Sequence, residues 1–303
     1  MFASFLAAFF FALNATCASH SVKALGALRA NFGRLVVACV FLGLFAHLVG
    51  HGFASASFNW FLLSGLIGMG LGDLGVYGAL PFLGSRLTVL MTQCLAAPIA
   101  ALGEWLWLGT KLTGQQVFWG SVILAGVAVA LMPSKSSPPR VHVRPVGFLF
   151  GLLAAAGQGF GALVSRKGVT VAAAAGEHVA NATFGLTAAY HRILAGVMFI
   201  SVWFLVMRLL RRLPPPLRHT PEERRASRRW VLANALAGPV AGVGCYQWAL
   251  ATTPSGLVLP IAATTPLLSI PIAFWLEGDR PTRRSIVGAV IAVAGCIALT
   301  LNR

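Results

Sequence analysis

Few side chains in this sequence can do chemistry, and Asp73 stands out among them. It closes a glycine-rich apolar run, SGLIGMGLGD, and no acidic residue precedes it. A charged aspartate at the centre of a membrane span costs about 2.5–3.5 kcal/mol on insertion scales, so it must face a cavity, a partner or water. Two readings follow. Asp73 is a proton-linked or cation-binding carboxylate on a transport path, or it is a hydrogen-bonded residue that fixes a helix end. Uncharged polar residues recur inside other apolar runs: Asn14, Tyr77, Gln93, Gln158, Tyr246, Gln247 and Thr264. Singly, each can bond helix to helix, worth only about 0.6 kcal/mol on average. Together with Asp73 they outline a polar path suited to a small amphipathic organic solute.

Other chemistries find less support. Gly70-Leu71-Gly72-Asp73 spells the Gly-x-Gly-Asp of intramembrane aspartyl proteases, which need two carboxylates sharing a proton. The only other aspartate, Asp279, lies in a loop beside the last apolar run. His47 and His51 stand at i and i+4 without a carboxylate beside them, and read as interfacial histidines rather than metal ligands. The cysteines, Cys17, Cys39, Cys94, Cys245 and Cys296, fall in apolar runs with no Cys-x-x-Cys pair, as small core residues do. The expectation is a protein that is not an enzyme and carries neither a metal nor a cofactor.

The elements that must position these residues follow from composition. Of 303 residues, 57% are hydrophobic and 10% charged, and mean hydropathy is +0.80. A soluble domain carries about 25% charged residues, so lipid is the solvent here. At about 20 residues per span, the chain divides into ten helices, roughly 2–19, 34–50, 60–80, 86–107, 115–132, 146–164, 188–207, 230–250, 255–276 and 285–301. Residues 1–18 lack a basic leader and read as a first span rather than a cleaved signal. The net charge of +16 sits in the gaps between runs, as topology signals do, so nucleic acid is not an expected partner. Most Lys and Arg fall on one side, which the positive-inside rule makes cytoplasmic, with both termini outside.

The two halves repeat each other. Asn14 and Lys23 match Gln158 and Lys167; Arg34 matches Arg192; Trp60 and Ala79-Leu80 match Trp230 and Ala249-Leu250; Pro98 matches Pro266; Gly109, Thr113 and Gly126 match Gly278, Thr282 and Gly295. The expected organisation is a first five-helix repeat over 1–133, a linker over 134–145, and a second five-helix repeat over 146–303. Five is odd, so the second repeat enters from the opposite side, and the fold class is all-α integral membrane with two inverted repeats. Such a plan places a solute site between the halves and lets them rock in alternating access. Within it, Gly65, Gly68, Gly72 and Gly75 share one helix face for close packing or hinging, and the paired breaks at Pro98 and Pro266 point to the site. Arg34 and Arg192 read as interfacial anchors, with contact to a solute carboxylate as the alternative. Glu104 and Lys111 read as an interfacial pair.

The ordered series resembles the ten-span EamA type of the drug/metabolite transporter superfamily. The resemblance rests on Arg34 and Arg192, on Tyr77…Ala79-Leu80 and Tyr246…Ala249-Leu250, on Pro98 and Pro266, and on Gly-x-x-x-Thr before the last helix of each half. It covers nearly the whole chain. It implies a multi-pass transporter of the plasma (inner) membrane that moves a small organic metabolite or drug-like solute, as an exporter and with proton coupling as one option. It also implies cytoplasmic termini, against the charge count. A flippase for a lipid-linked substrate is the alternative.

Overall fold

An apolar chain in hydrocarbon must satisfy every backbone polar group within each segment, which favours helices. The structure, a computed structural model, describes residues 1–132, 143–212, 220–277 and 282–301; the side chains at positions 27, 77, 85, 86, 221, 224 and 273–277 are outside that description. Within it the chain is helical throughout, with no strand. The first half comprises α1 (Phe2–Leu25), α2 (Ala27–Leu48), α3 (Phe58–Gly65), a π-helical turn (Leu66–Leu71), α4 (Gly72–Leu108) and α5 (Gly114–Leu131). The second comprises α6 (Pro145–Ala174), α7 (Ala182–Leu209), α8 (Pro221–Ala235), a second π-helical turn (Leu236–Gly242), α9 (Val243–Thr252), α10 (Ser255–Ala262), α11 (Thr265–Glu277) and α12 (Arg283–Leu301). The expected linker 134–145 and the Gly278-Asp279-Arg280 loop fall largely outside the described residues.

Nine helical stretches among the described residues are long and apolar enough to cross a membrane. They correspond to nine of the ten expected spans. The eighth expected span, 230–250, is helical from α8 through the π turn into α9, but it is divided there and α8 opens on the polar run PEERRASRR. The long run from 58 to 108 breaks at Gly84, with φ 72° and ψ 170°. Only a residue without Cβ adopts that conformation at little cost, so α4 is two arms joined at the turn expected around Pro81–Gly84. The alanine-rich segment after 164 extends α6 to Ala174.

Packing is reciprocal. Helix α1 packs on α8, the second π turn and α9, while α6 packs on α3, the first π turn and α4. The counterparts α2 and α7 meet each other through Ala38, Leu42, Ala189 and Ile193, and α5 meets α12. Small residues permit these approaches, since lipid offers helices no hydrophobic drive to associate and close van der Waals packing must supply it. At Gly75 an added Cβ would collide with the backbone N of Ala154, and at Gly157 it would lie 2.5 Å from the Cα of Gly72. The glycine face read from the sequence therefore packs: Gly72 and Gly75 meet α6, whereas Gly65 meets the backbone of Arg192 on α7.

Candidate functional site

Between these helices lies a cavity of about 400 Å³. Its wall is built from matching positions of the two halves. Gly68, Met69, Asp73 and Val76 line it from the first π turn and α4; Gly238, Pro239, Val243 and Tyr246 line it from the second π turn and α9, each 170 residues further on. Asn14 with Gln158, and Arg34 with Arg192, complete the matched set. A π turn adds a residue per turn and shifts the face that follows it, so both π turns help aim the residues after them into one space.

Charge is the asymmetric part of this wall. Asp73 faces the cavity from α4, where the second half has Val243. Arg34 is half-buried and its Nε donates to Asn31 Oδ1 at 2.8 Å. Arg192 is 6% exposed. Its Nη1 donates to Ser165 Oγ at 3.1 Å, its guanidinium carbon lies 5.9 Å from the centre of the Tyr246 ring, and its Nε has no partner. Burial of Arg192 corrects its reading as an interfacial anchor: α7 begins at Ala182, so Arg192 lies well inside the helix rather than at its mouth. Asn14 likewise carries a buried Oδ1 without a partner.

Of the other residues read from the sequence, Gln93 lines the cavity beside Thr92 and Thr88. The Tyr77 side chain is outside the described residues. Gln247 is fully buried, with neither amide atom bonded, and is not on the cavity wall. Thr264 bonds the carbonyl of Ile261 at 2.6 Å and lines a separate apolar crevice with Phe5 and Leu268. Its neighbour Thr265 faces the cavity instead. Sequence reading missed Thr265, Thr88 and Thr92; the proline after Thr265 marked the right turn of helix but not which threonine faces inward.

Away from the cavity wall, polar contacts tie α4 and α6 to the segment from α9 to α10. Glu104 on α4 is 2% exposed; its Oε1 accepts from Arg166 Nε of α6 at 2.9 Å, and its Oε2 accepts from the backbone N of Ser255 at 2.7 Å and from that residue's hydroxyl. Arg166 Nη1 donates to the Leu250 carbonyl at 2.6 Å. Glu104 thus pairs with Arg166 rather than with Lys111, as the sequence had implied. Nearby, the Glu177 carboxylate accepts from Ala56 N at 2.7 Å, and His191 Nε2 lies 2.7 Å from the Gly52 carbonyl. Two larger hollows flank the cavity. An outward groove of about 600 Å³ is walled by Leu102, Trp105 and Val117, as lipid-covered surface is. An apolar crevice of about 610 Å³ shares Leu35, Met69 and Asp73 with the cavity. No group of His, Cys, Asp and Glu among the described residues is arranged to hold a metal.

A multi-pass helical membrane protein with a polar hollow between two matched halves belongs, as a class, with membrane transporters. More narrowly, the chain belongs to the EamA-like transporter family, whose model matches residues 1–132 and again 145–301. The two matched segments coincide with the two halves of the fold. One solved structure, titled only "Crystal structure of protein", is similar with a TM-score of 0.71 at 18% identity, covering 99% of this chain and 96% of that one. At that identity the likeness speaks for the fold alone. No curated protein matches the sequence.

Proposed function

We propose that the protein is a secondary carrier that moves a small organic solute across the plasma (inner) membrane by alternating access, in the direction of export. The observation that carries this reading is the cavity walled by matching residues of both halves, and in it the Glu104–Arg166 network serves as the closed gate. Counting the divided helix over 230–250 gives ten spans, hence five in each half and an inverted repeat. The reciprocal packing of α1 and α6 on the other half's third span supports it. Rocking of the halves would break the gate network and close the walls around Asp73.

In this scheme Asn14, Gln93, Gln158, Tyr246 and Thr265 present hydrogen-bonding groups to the solute, and Asp73 couples its passage to a proton or contacts it directly. Tyr77 is assigned to the path by sequence alone, whereas Gln247 and Thr264 lie off the cavity wall and are left out of it. Gly65, Gly68, Gly72 and Gly75, with Pro98 and Pro266, shape the helices that move.

The test is reconstitution into liposomes with a screen of labelled small solutes at two pH values. Protein-dependent uptake that Asp73→Asn abolishes is the expected result. Uptake unchanged in Asp73→Asn would remove Asp73 from the path, and solute-independent lipid movement would replace the carrier with a flippase.

A further inference from the structure

Resting on that carrier reading, we propose that the cavity takes a monoanionic organic solute, whose carboxylate is gripped between Arg34 and Arg192 while Asp73 offsets one of their two charges through space.

Two guanidiniums and one carboxylate line the same hollow. Arginine stays protonated at any working pH, so the wall carries a positive excess in a region where uncompensated charge is costly. Three other described carboxylates are engaged elsewhere, Glu104 with Arg166 and Ser255, Glu177 with Ser55 and Ala56, and Glu223 with Thr220 at the start of α8, while Glu222 is exposed on α8, away from the cavity wall.

Geometry adds a vacancy in the bonding of the buried arginine. The planar guanidinium offers five donors in a fork that matches a carboxylate. Arg192 uses Nη1 on a neutral hydroxyl and leaves Nε unbonded, although it is 6% exposed. The Tyr246 ring lies 5.9 Å from its guanidinium carbon, a cation–π contact that leaves the N–H donors unoccupied. Arg34 uses Nε on Asn31, which leaves its two Nη groups for a ligand. Among the described residues Asp73 has no hydrogen bond or ion pair, yet it shares the cavity and lies within electrostatic reach of both arginines. It neutralises part of their charge through space without occupying their donors. An entering carboxylate can take the Nη groups of Arg34 and the Nη2 of Arg192 beside Gly68 on the cavity wall, and it then meets Asp73 as a like charge. The remaining wall, amides and hydroxyls at Asn14, Gln93, Gln158, Thr88 and Thr92, suits an uncharged polar body. The volume of about 400 Å³ lies toward the small end of ligand cavities.

The experiment uses thermal stabilisation of the purified full-length protein. The probes are lactate, pyruvate, benzoate and phenylacetate, each beside its primary amide and the corresponding amine. Stabilisation confined to carboxylates is expected. Arg34→Gln or Arg192→Gln should weaken it by roughly ten- to hundredfold, the worth of a charge-assisted bond. Arg192→Lys, which keeps the charge and loses the fork, should fall between. Asp73→Asn should tighten carboxylate binding while transport falls, a sign that a merely structural aspartate would not produce. The proposal is overturned if amines or amides are the binders, if no carboxylate stabilises at millimolar concentration, or if carboxylates stabilise Arg192→Gln as well as the wild type. Flux in liposomes separates the two readings. Amines or amides that the protein carries across would sink the anion grip and keep the carrier; carboxylates that bind but never cross would sink the carrier and keep the grip.

Discussion

Two arginines of the second half, the half-buried Arg166 on α6 and the buried Arg192 on α7, differ in what they bond. Arg166 meets Glu104 through Nε and a backbone carbonyl through Nη1. Arg192 is more deeply buried and less engaged, with one hydroxyl, one ring face and a free Nε. A buried charge that is paired and hydrogen-bonded is structural, because removing either member strands the other. Arg192, half-bonded at the edge of the cavity, is the group to which we assign the solute carboxylate. The first site ties helices together, and the second faces the cavity.

That contrast can be broken most directly at Glu104. Glu104→Ala leaves Arg166 buried without its carboxylate and should cost about 3–5 kcal/mol, read as a fall in the unfolding midpoint. Arg192→Gln should change stability by less than about 1 kcal/mol, since it trades one neutral hydrogen bond and a ring contact for relief of excess charge. Equal losses in the two variants would erase the distinction. A smaller effect is expected at the crossing that carries Asp73. Gly75→Val forces a side chain onto the backbone of Ala154 and should cost about 1–3 kcal/mol, with solute flux reduced because α4 is pushed off α6. The smallest difference sharpens the cavity wall. Thr265→Ala should weaken solute binding a fewfold, about the net worth of one hydrogen bond, whereas Thr264→Ala, on the outer crevice, should leave it unchanged.

Much of the cavity wall was legible because the chain repeats. Pairing Asn14 with Gln158 and Arg34 with Arg192 needed only spacing in the sequence, and all four reach the hollow. The isolation of Asp73 was equally plain, since a carboxylate in an apolar run has few other places to go. Gln247 and Thr264 were read as path residues for being polar within a span, yet the helix turns them elsewhere. The choice of Thr265 over Thr264 depends on one step of rotation, about 100°, in a segment where α10 ends at Ala262 and α11 restarts at Thr265. Apolar periodicity cannot resolve such a step when every face of the helix is apolar.

By itself the sequence determined the solvent, the helical class, the two halves and the family, because composition, spacing and repeated motifs are properties of the chain read in order. Only the tertiary structure decided that Glu104 belongs to Arg166, that Arg192 lies buried with a free donor, and that both π turns deliver their residues into one space. These depend on which helices meet and at what rotation, and close packing of small residues across helix pairs sets both.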